Sequence, residues 1–132
     1  MPKEGKATSD RLLMSLLDTT QLSLEAAMRG SELRQSLLTN NLANADTPGY
    51  QSEDVNFQST LANAIQAGQS PSSVTFTPYT SGGSADADGN GVNEEQTNAE
   101  LSSNGLLYED LTAVASQREQ IMMTAMGMGS SS

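Results

Sequence analysis

The stretch Asn40-Asn41-Leu42-Ala43-Asn44-Ala45-Asp46-Thr47-Pro48-Gly49-Tyr50 sets the direction in which this chain must run. It closes a long apolar-periodic segment with an unusually specific stop. Its asparagines supply partners for the carbonyls and amides that a helix end leaves orphaned. Asp46 is placed to bond backbone amides two residues on, and Thr47 is driven out of helical geometry by the proline after it. Pro48-Gly49 fits the two central positions of a type II turn, proline fixing φ and glycine accepting φ > 0. Such a device sends the chain out of a helix at a fixed angle. It supplies no chemistry for a substrate.

Before this stop, Leu13, Leu17, Thr20, Leu24, Ala27, Ser31, Arg34, Leu38, Asn41 and Ala45 recur in alternating steps of four and three. Leu12, Leu16, Ala26, Leu33 and Leu37 run beside them, making a broad stripe instead of a narrow coiled-coil seam. The pattern predicts a helix over 9–45, with Ser9 as N-cap and Asp10 near the positive end of the dipole. At 1.5 Å per residue it is roughly 50 Å long, too long for a compact domain of this size. Gly30 costs about 1 kcal/mol relative to alanine in an exposed helix.

A second helix is predicted over 93–127, with Asn93 and Gln96 spaced as a capping box and Glu94 and Glu95 suited to the dipole. Leu101, Asn104, Tyr108, Leu111, Ala115, Arg118, Met122 and Ala125 keep the helical spacing, flanked by Leu107, Val114, Ile121 and Met128. The helix–helix seam is expected from Leu13, Leu17, Leu24, Leu38, Leu101, Tyr108, Leu111, Val114, Ile121 and Met122. Between the helices, 46–92 holds the turn, a short amphipathic helix through Phe57, Leu61, Ala64 and Ile65, and a strand or hairpin arm at Val74-Thr75-Phe76. Pro78 confines that arm to an edge, and a Gly/Ser/Asp-rich loop follows. Residues 1–8 and 128–132 are expected to be flexible ends. The expected fold is mainly α, two long terminal helices paired as an antiparallel coiled-coil-like bundle with a small irregular, short-β middle.

Apolar residues make up 36% of the 132-residue chain and tryptophan is absent, so a core of Leu, Ala and Met is thin against the usual 45–50% or so, a range that also counts glycine. That composition suits helices that complete their burial against neighbouring subunits. Without cysteine there is no disulfide frame or thiolate nucleophile, and without histidine most zinc sites and imidazole schemes fall away. No enzyme and no cofactor are expected. Five of the six basic residues (Lys3, Lys6, Arg11, Arg29, Arg34) precede Tyr50, leaving Arg118 alone after it, while the net charge is −10. Nucleic-acid binding needs clustered Lys or Arg and is not expected. No run reaches the roughly 18 apolar residues of a membrane span. Residues Met1 to Lys6 lack the apolar core of a cleavable signal peptide.

Asp86-Ala87-Asp88-Gly89-Asn90-Gly91 matches the first half of a calcium loop, and Glu94 falls on its ninth position. Thr97 stands where the bidentate glutamate belongs, so a polar turn leading into a helix N-cap is the preferred reading. Asp86, Asp88, Asn90 and Glu94 are the weak metal candidates of a rival hypothesis, a small secreted calcium-responsive binding module. Met122, Met123, Met126 and Met128 offer either an adaptable binding face or ordinary seam filling, and filling is favoured. The acidic pairs Glu53-Asp54, Glu94-Glu95 and Glu109-Asp110 diverge as adjacent residues do and read as solvated faces. Arg118, within the apolar row, either pairs with a carboxylate of a facing helix or runs its stem along the edge.

Leu33-Arg34-Gln35, then Asn41 to Tyr50, then Asp54-Val55-Asn56-Phe57 closely resemble the N-terminal signature of the bacterial flagellar rod and hook family. Gly89 to Asn93 followed by Leu101, Asn104 and Tyr108 is similar in order and spacing to a second signature of the family. The resemblance implies a structural subunit of the basal-body rod, at its proximal end, carrying torque from motor to hook. It implies assembly in the periplasmic space after type III export without a cleaved signal. Its implied partners are copies of itself and other rod subunits, the rod-base junction protein FliE, the membrane-ring region and the flagellar export apparatus, with no membrane insertion. Its implied assembly and turn residues are Asn41, Asn44, Asp46, Thr47, Pro48, Gly49, Tyr50, Val55 and Phe57.

Overall fold

The computed structural model describes residues 2–82 and 89–130, with the side chains of 1–7, 9, 13, 16 and 128–132 outside that description. Two helices dominate it: α1, Pro2–Ala43, and α3, Glu94–Ser130. Between them lie β1 (Glu53–Asp54), α2 (Phe57–Gln66), a 3-10 turn (Pro71–Ser73) and β2 (Tyr79–Thr80). The α1–α3 pairing is the largest contact in the molecule. Glu32 touches Tyr108 and Arg34 approaches Glu100, so residue numbers rise along one helix as they fall along the other. The pair is antiparallel. No helix among the described residues is long and apolar enough to cross a membrane.

α1 begins at Pro2 instead of Ser9. Proline fits the first turn of a helix, where its missing N–H is an orphan anyway, so the expected flexible segment 1–8 is mostly helical backbone. α3 likewise runs on to Ser130, past the expected end at 127. Its start is as expected: Asn93 Oδ1 accepts from the Gln96 amide at 3.0 Å. The capping box stays half made, because the Gln96 side chain donates to Glu100 instead of reaching back.

The middle segment lies against one end of the pair. Ala26, Leu61, Ala64 and Val74 form its buried cluster, with Ala27 and Phe76 packed on it. The Phe57 and Phe76 rings meet edge to face at 6.3 Å, a favoured aromatic geometry. Ile65, expected on the buried face of α2, is 40% exposed. The expected strand at Val74-Thr75-Phe76 is not one. Val74 ends the 3-10 turn with its side chain in the core, and the strand forms at Tyr79–Thr80, just past Pro78. There it pairs antiparallel with β1, Glu53 opposite Thr80 and Asp54 opposite Tyr79. Burial of Val74 and Phe76 outweighs the pairing that their β-propensity favours.

Candidate functional site

Gly30 shows why a glycine interrupts a good helix. A Cβ built there would lie 2.5 Å from Phe57 Cβ and 2.6 Å from its Cγ. The missing side chain is the seat of the Phe57 ring, which is 3% exposed. One turn on, Arg34 bonds Asp54 through Nε at 2.9 Å and Nη2 at 3.2 Å and approaches Glu100 at 3.6 Å. Its guanidinium is held more firmly protonated, chiefly by the hydrogen bond to Asp54. One cation thereby ties α1 to β1 and to α3.

Asn41, 2% exposed, acts as a strand partner made from a side chain. Its Nδ2 donates to the Glu53 carbonyl at 2.8 Å, and its Oδ1 accepts from the Glu53 amide at 3.0 Å. Tyr50 donates its hydroxyl to the same Oδ1 at 3.2 Å. Burial, then the Glu53 charge, raises the Tyr50 pKa, which keeps that donor protonated.

The turn itself follows the sequence. The Tyr50 amide donates to the Thr47 carbonyl at 3.2 Å and Gly49 has φ 78°, as a type II turn requires. Asn44 Nδ2 caps the Asn40 carbonyl, and Thr47 Oγ1 donates to Asn44 Oδ1. Asp46, expected to bond nearby amides, is exposed; Asn44 and Thr47 carry the local side-chain bonds. The long-range partner is Asn90. Its Nδ2 donates to the carbonyls of Asn44 at 2.9 Å and Thr47 at 2.7 Å, while its Oδ1 accepts from the Val92 amide. The Gly91 amide also donates to the Tyr50 carbonyl. Carbonyls of the turn that follows α1 thus gain a second donor from the residues that lead into α3.

This arrangement gives one residue of the calcium motif another role. Asp86 and Asp88 lie outside the described residues, Glu94 is exposed, and Asn90 is spent on the turn. Asn104, 1% exposed, adds a third buried amide, donating to the Ser31 carbonyl at 2.9 Å and Gln35 Oε1 at 2.8 Å.

Of the expected seam residues, Leu38 is buried at 1% exposure, and Leu17, Leu24, Leu101, Tyr108, Leu111 and Met122 are half-buried. Tyr108 donates to Glu32 at 2.8 Å, which raises its pKa. Leu13 lies outside the described side chains. Val114 and Ile121 are corrections: they are 44% and 62% exposed, because Ala115 (8% exposed), one position round the helix from Val114, is what faces α1. Among the described residues Arg118 pairs with no carboxylate, and its Nε is buried without a partner. The reading from sequence missed Gly30 as a packing seat, the Arg34–Asp54 bridge, and Ser31 and Asn104 as a buried pair. Each had a trace: a mid-helix glycine, and polar residues standing in the apolar rows.

One side of these contacts falls within the residues that match a known family. A family model described as flagella basal body rod protein matches residues 24–51, which span Gly30, Arg34, Leu38, Asn41 and the turn. The flagellar basal body rod protein FlgB of Escherichia coli (strain K12) is 29% identical over 131 residues, 83% of this chain and 95% of that protein. FlgB of Cereibacter sphaeroides (strain ATCC 17029 / ATH 2.4.9) is 32% identical over 106 residues, 71% of this chain and 83% of the relative. FlgB of Bacillus subtilis (strain 168) is 44% identical over 48 residues, 36% of this chain. With similarity that runs over both helices and a family match centred on the helix stop, the chain belongs to the FlgB family of flagellar basal body rod proteins.

Proposed function

We propose that this protein is a structural subunit of the bacterial flagellar basal-body rod, its two long helices forming part of the axial shaft that transmits torque for motility. The observation that carries the reading is the far end of the helix pair. There Leu12, Met14, Ile121, Met123 and Met126 are 50 to 72% exposed. An apolar band of this kind on two paired helices is left for neighbours to cover. The other end is closed by α2, the 3-10 turn and the two-stranded sheet, so each subunit has a self-sufficient head and a tail that completes its burial in a polymer.

The finer placement rests on the resemblance and the family. It is the proximal rod, reached through type III export without a cleaved signal, on the periplasmic side, next to other rod subunits, the junction protein FliE and the membrane-ring region. In this reading Asn41, Asn44, Thr47, Pro48, Gly49, Tyr50, Val55 and Phe57 hold the head on the shaft at a fixed angle, and Asp46 stands on its exposed rim. Disruption of the gene tests the function: cells should lose motility and yield basal bodies without rods or filaments. Motile cells with complete rods would refute it.

A further inference from the structure

We propose that Arg118 of one copy pairs with Asp18 of a second copy lying beside it, so that α3 of one subunit docks on α1 of the next. This rests on the rod reading above. Arg118 is the only basic residue after Tyr50 in a chain of net charge −10. Its stem enters the helix pair and its Nε is buried with no partner, as is Gln21 Oε1. The register set by Arg34 with Glu100 and by Glu32 with Tyr108 puts Gln21 across the pair from Arg118. Nε has no surface that a neighbour could reach, so what a second copy can pair is the outer end of the guanidinium, which forms no hydrogen bond or ion pair among the described residues.

What flanks the guanidinium indicates what should cover it. Val114 and Ile121 stand four residues before and three after Arg118, on the same face, 44% and 62% exposed. An arginine between apolar neighbours that exclude water is the composition of an interface hot spot. The matching surface is on α1. Asp18 is exposed, level with Arg118 in the antiparallel register, and shares its face with Met14, 50% exposed, one turn away. Within one copy the two do not meet: the ion pairs among the described residues are those of Arg34. A neighbour set beside the first at nearly the same height brings apolar to apolar and cation to anion. Such a contact uses different faces of the two copies and therefore propagates around an axis instead of closing as a dimer.

Charge reversal in a strain lacking the native gene tests the pairing. Arg118→Asp alone and Asp18→Arg alone should each abolish swimming and rod recovery, and the two together in one chain should restore both. Arg118→Met should keep the circular dichroism and melting of the isolated protein while losing swimming. Normal swimming of either single reversal or of Arg118→Met would overturn the pairing, as would a double reversal no better than the singles. The wild-type gene supplied to the same strain must restore swimming and place the protein in purified basal bodies. Failure there would sink the rod reading itself, whatever the variants do.

Discussion

Gly49 and Gly30 are both irreplaceable glycines, for opposite reasons. At Gly49 there is open space for a side chain but φ is 78°; at Gly30 the backbone is helical but the space belongs to Phe57. Gly49→Val should cost on the order of 1–3 kcal/mol of local strain, and the altered exit would carry Tyr50 away from Asn41. Pro48→Ala removes only a favoured φ and should be much milder. We expect the valine variant to be exported yet poorly incorporated and the alanine variant near normal, read by secretion and swimming assays; equal behaviour would show that turn geometry is not the motif's purpose. Gly30→Ala should gain about 1 kcal/mol from helix propensity in an open helix, but here overpacking against Phe57 should cost roughly 1–3 kcal/mol. A thermal melt decides the sign, and a rise in Tm would show that the ring can move aside. Asn41→Ala strands the Glu53 amide and carbonyl and the Tyr50 hydroxyl, and should destabilise the head by about 1–3 kcal/mol or more in the same measurement.

Among the elements, the two helices carry different burdens along their lengths. Leu38 is fully buried, and its region holds Ser31 bonded to Asn104, Arg34 to Asp54 and Asn41 to Glu53. Leu111 is half-buried beside Phe57, Leu61 and Ile65, where α1, α2 and α3 leave an apolar groove of about 240 Å³. Leu38→Asp buries an unpaired carboxylate and should cost roughly 3–5 kcal/mol, enough to unfold the subunit before it is assembled. Leu111→Asp can turn its charge to water, so the folded subunit should survive while assembly suffers. Circular dichroism melts compared with rod incorporation separate the two. If both variants melt alike, the inequality between these positions along the seam is wrong.

The molecule as a whole is asymmetric from end to end. Its head has buried amides, an ion bridge and an aromatic pair, while its tail exposes Leu12, Met14, Ile121, Met123 and Met126. Helices without a covered apolar face draw little stability from packing. Dilute protein should therefore be partly helical, with amides near Leu38, Asn41 and Asn104 protected from hydrogen exchange and those near Met14 and Met126 exchanging fastest. Helix content should rise on assembly. Uniform protection along both helices with one sharp, cooperative melt would count against a tail that waits for its neighbours.

The existence of both helices, the Asn93 cap and the type II turn were legible in the sequence, because each depends on residues a few positions apart: apolar spacing, an Asn side chain, a Pro-Gly pair. Leu38 and Phe57 are also buried, as their helical rows direct. What the sequence did not disclose are the contacts that need residues far apart along the chain. Asn90 capping the end of α1 joins positions 46 and 43 residues apart, and Asn104 with Ser31 joins positions 73 apart. In isolation Asn90 read as part of a polar turn, with calcium ligation a weak rival, and Gly30 as a weak point in a helix. Their partners, the Thr47 carbonyl and the Phe57 ring, come beside them only when the middle segment folds back on the pair. The same holds for Val74 and Phe76, whose local preference for a strand gave way to a core formed by Ala26 and Leu61. Local geometry is set by short-range sterics and hydrogen bonds, and the sequence alone determined it. The register of α1 on α3, and the faces left for neighbours, depend on which distant polar groups satisfy one another, and only the tertiary structure decided those.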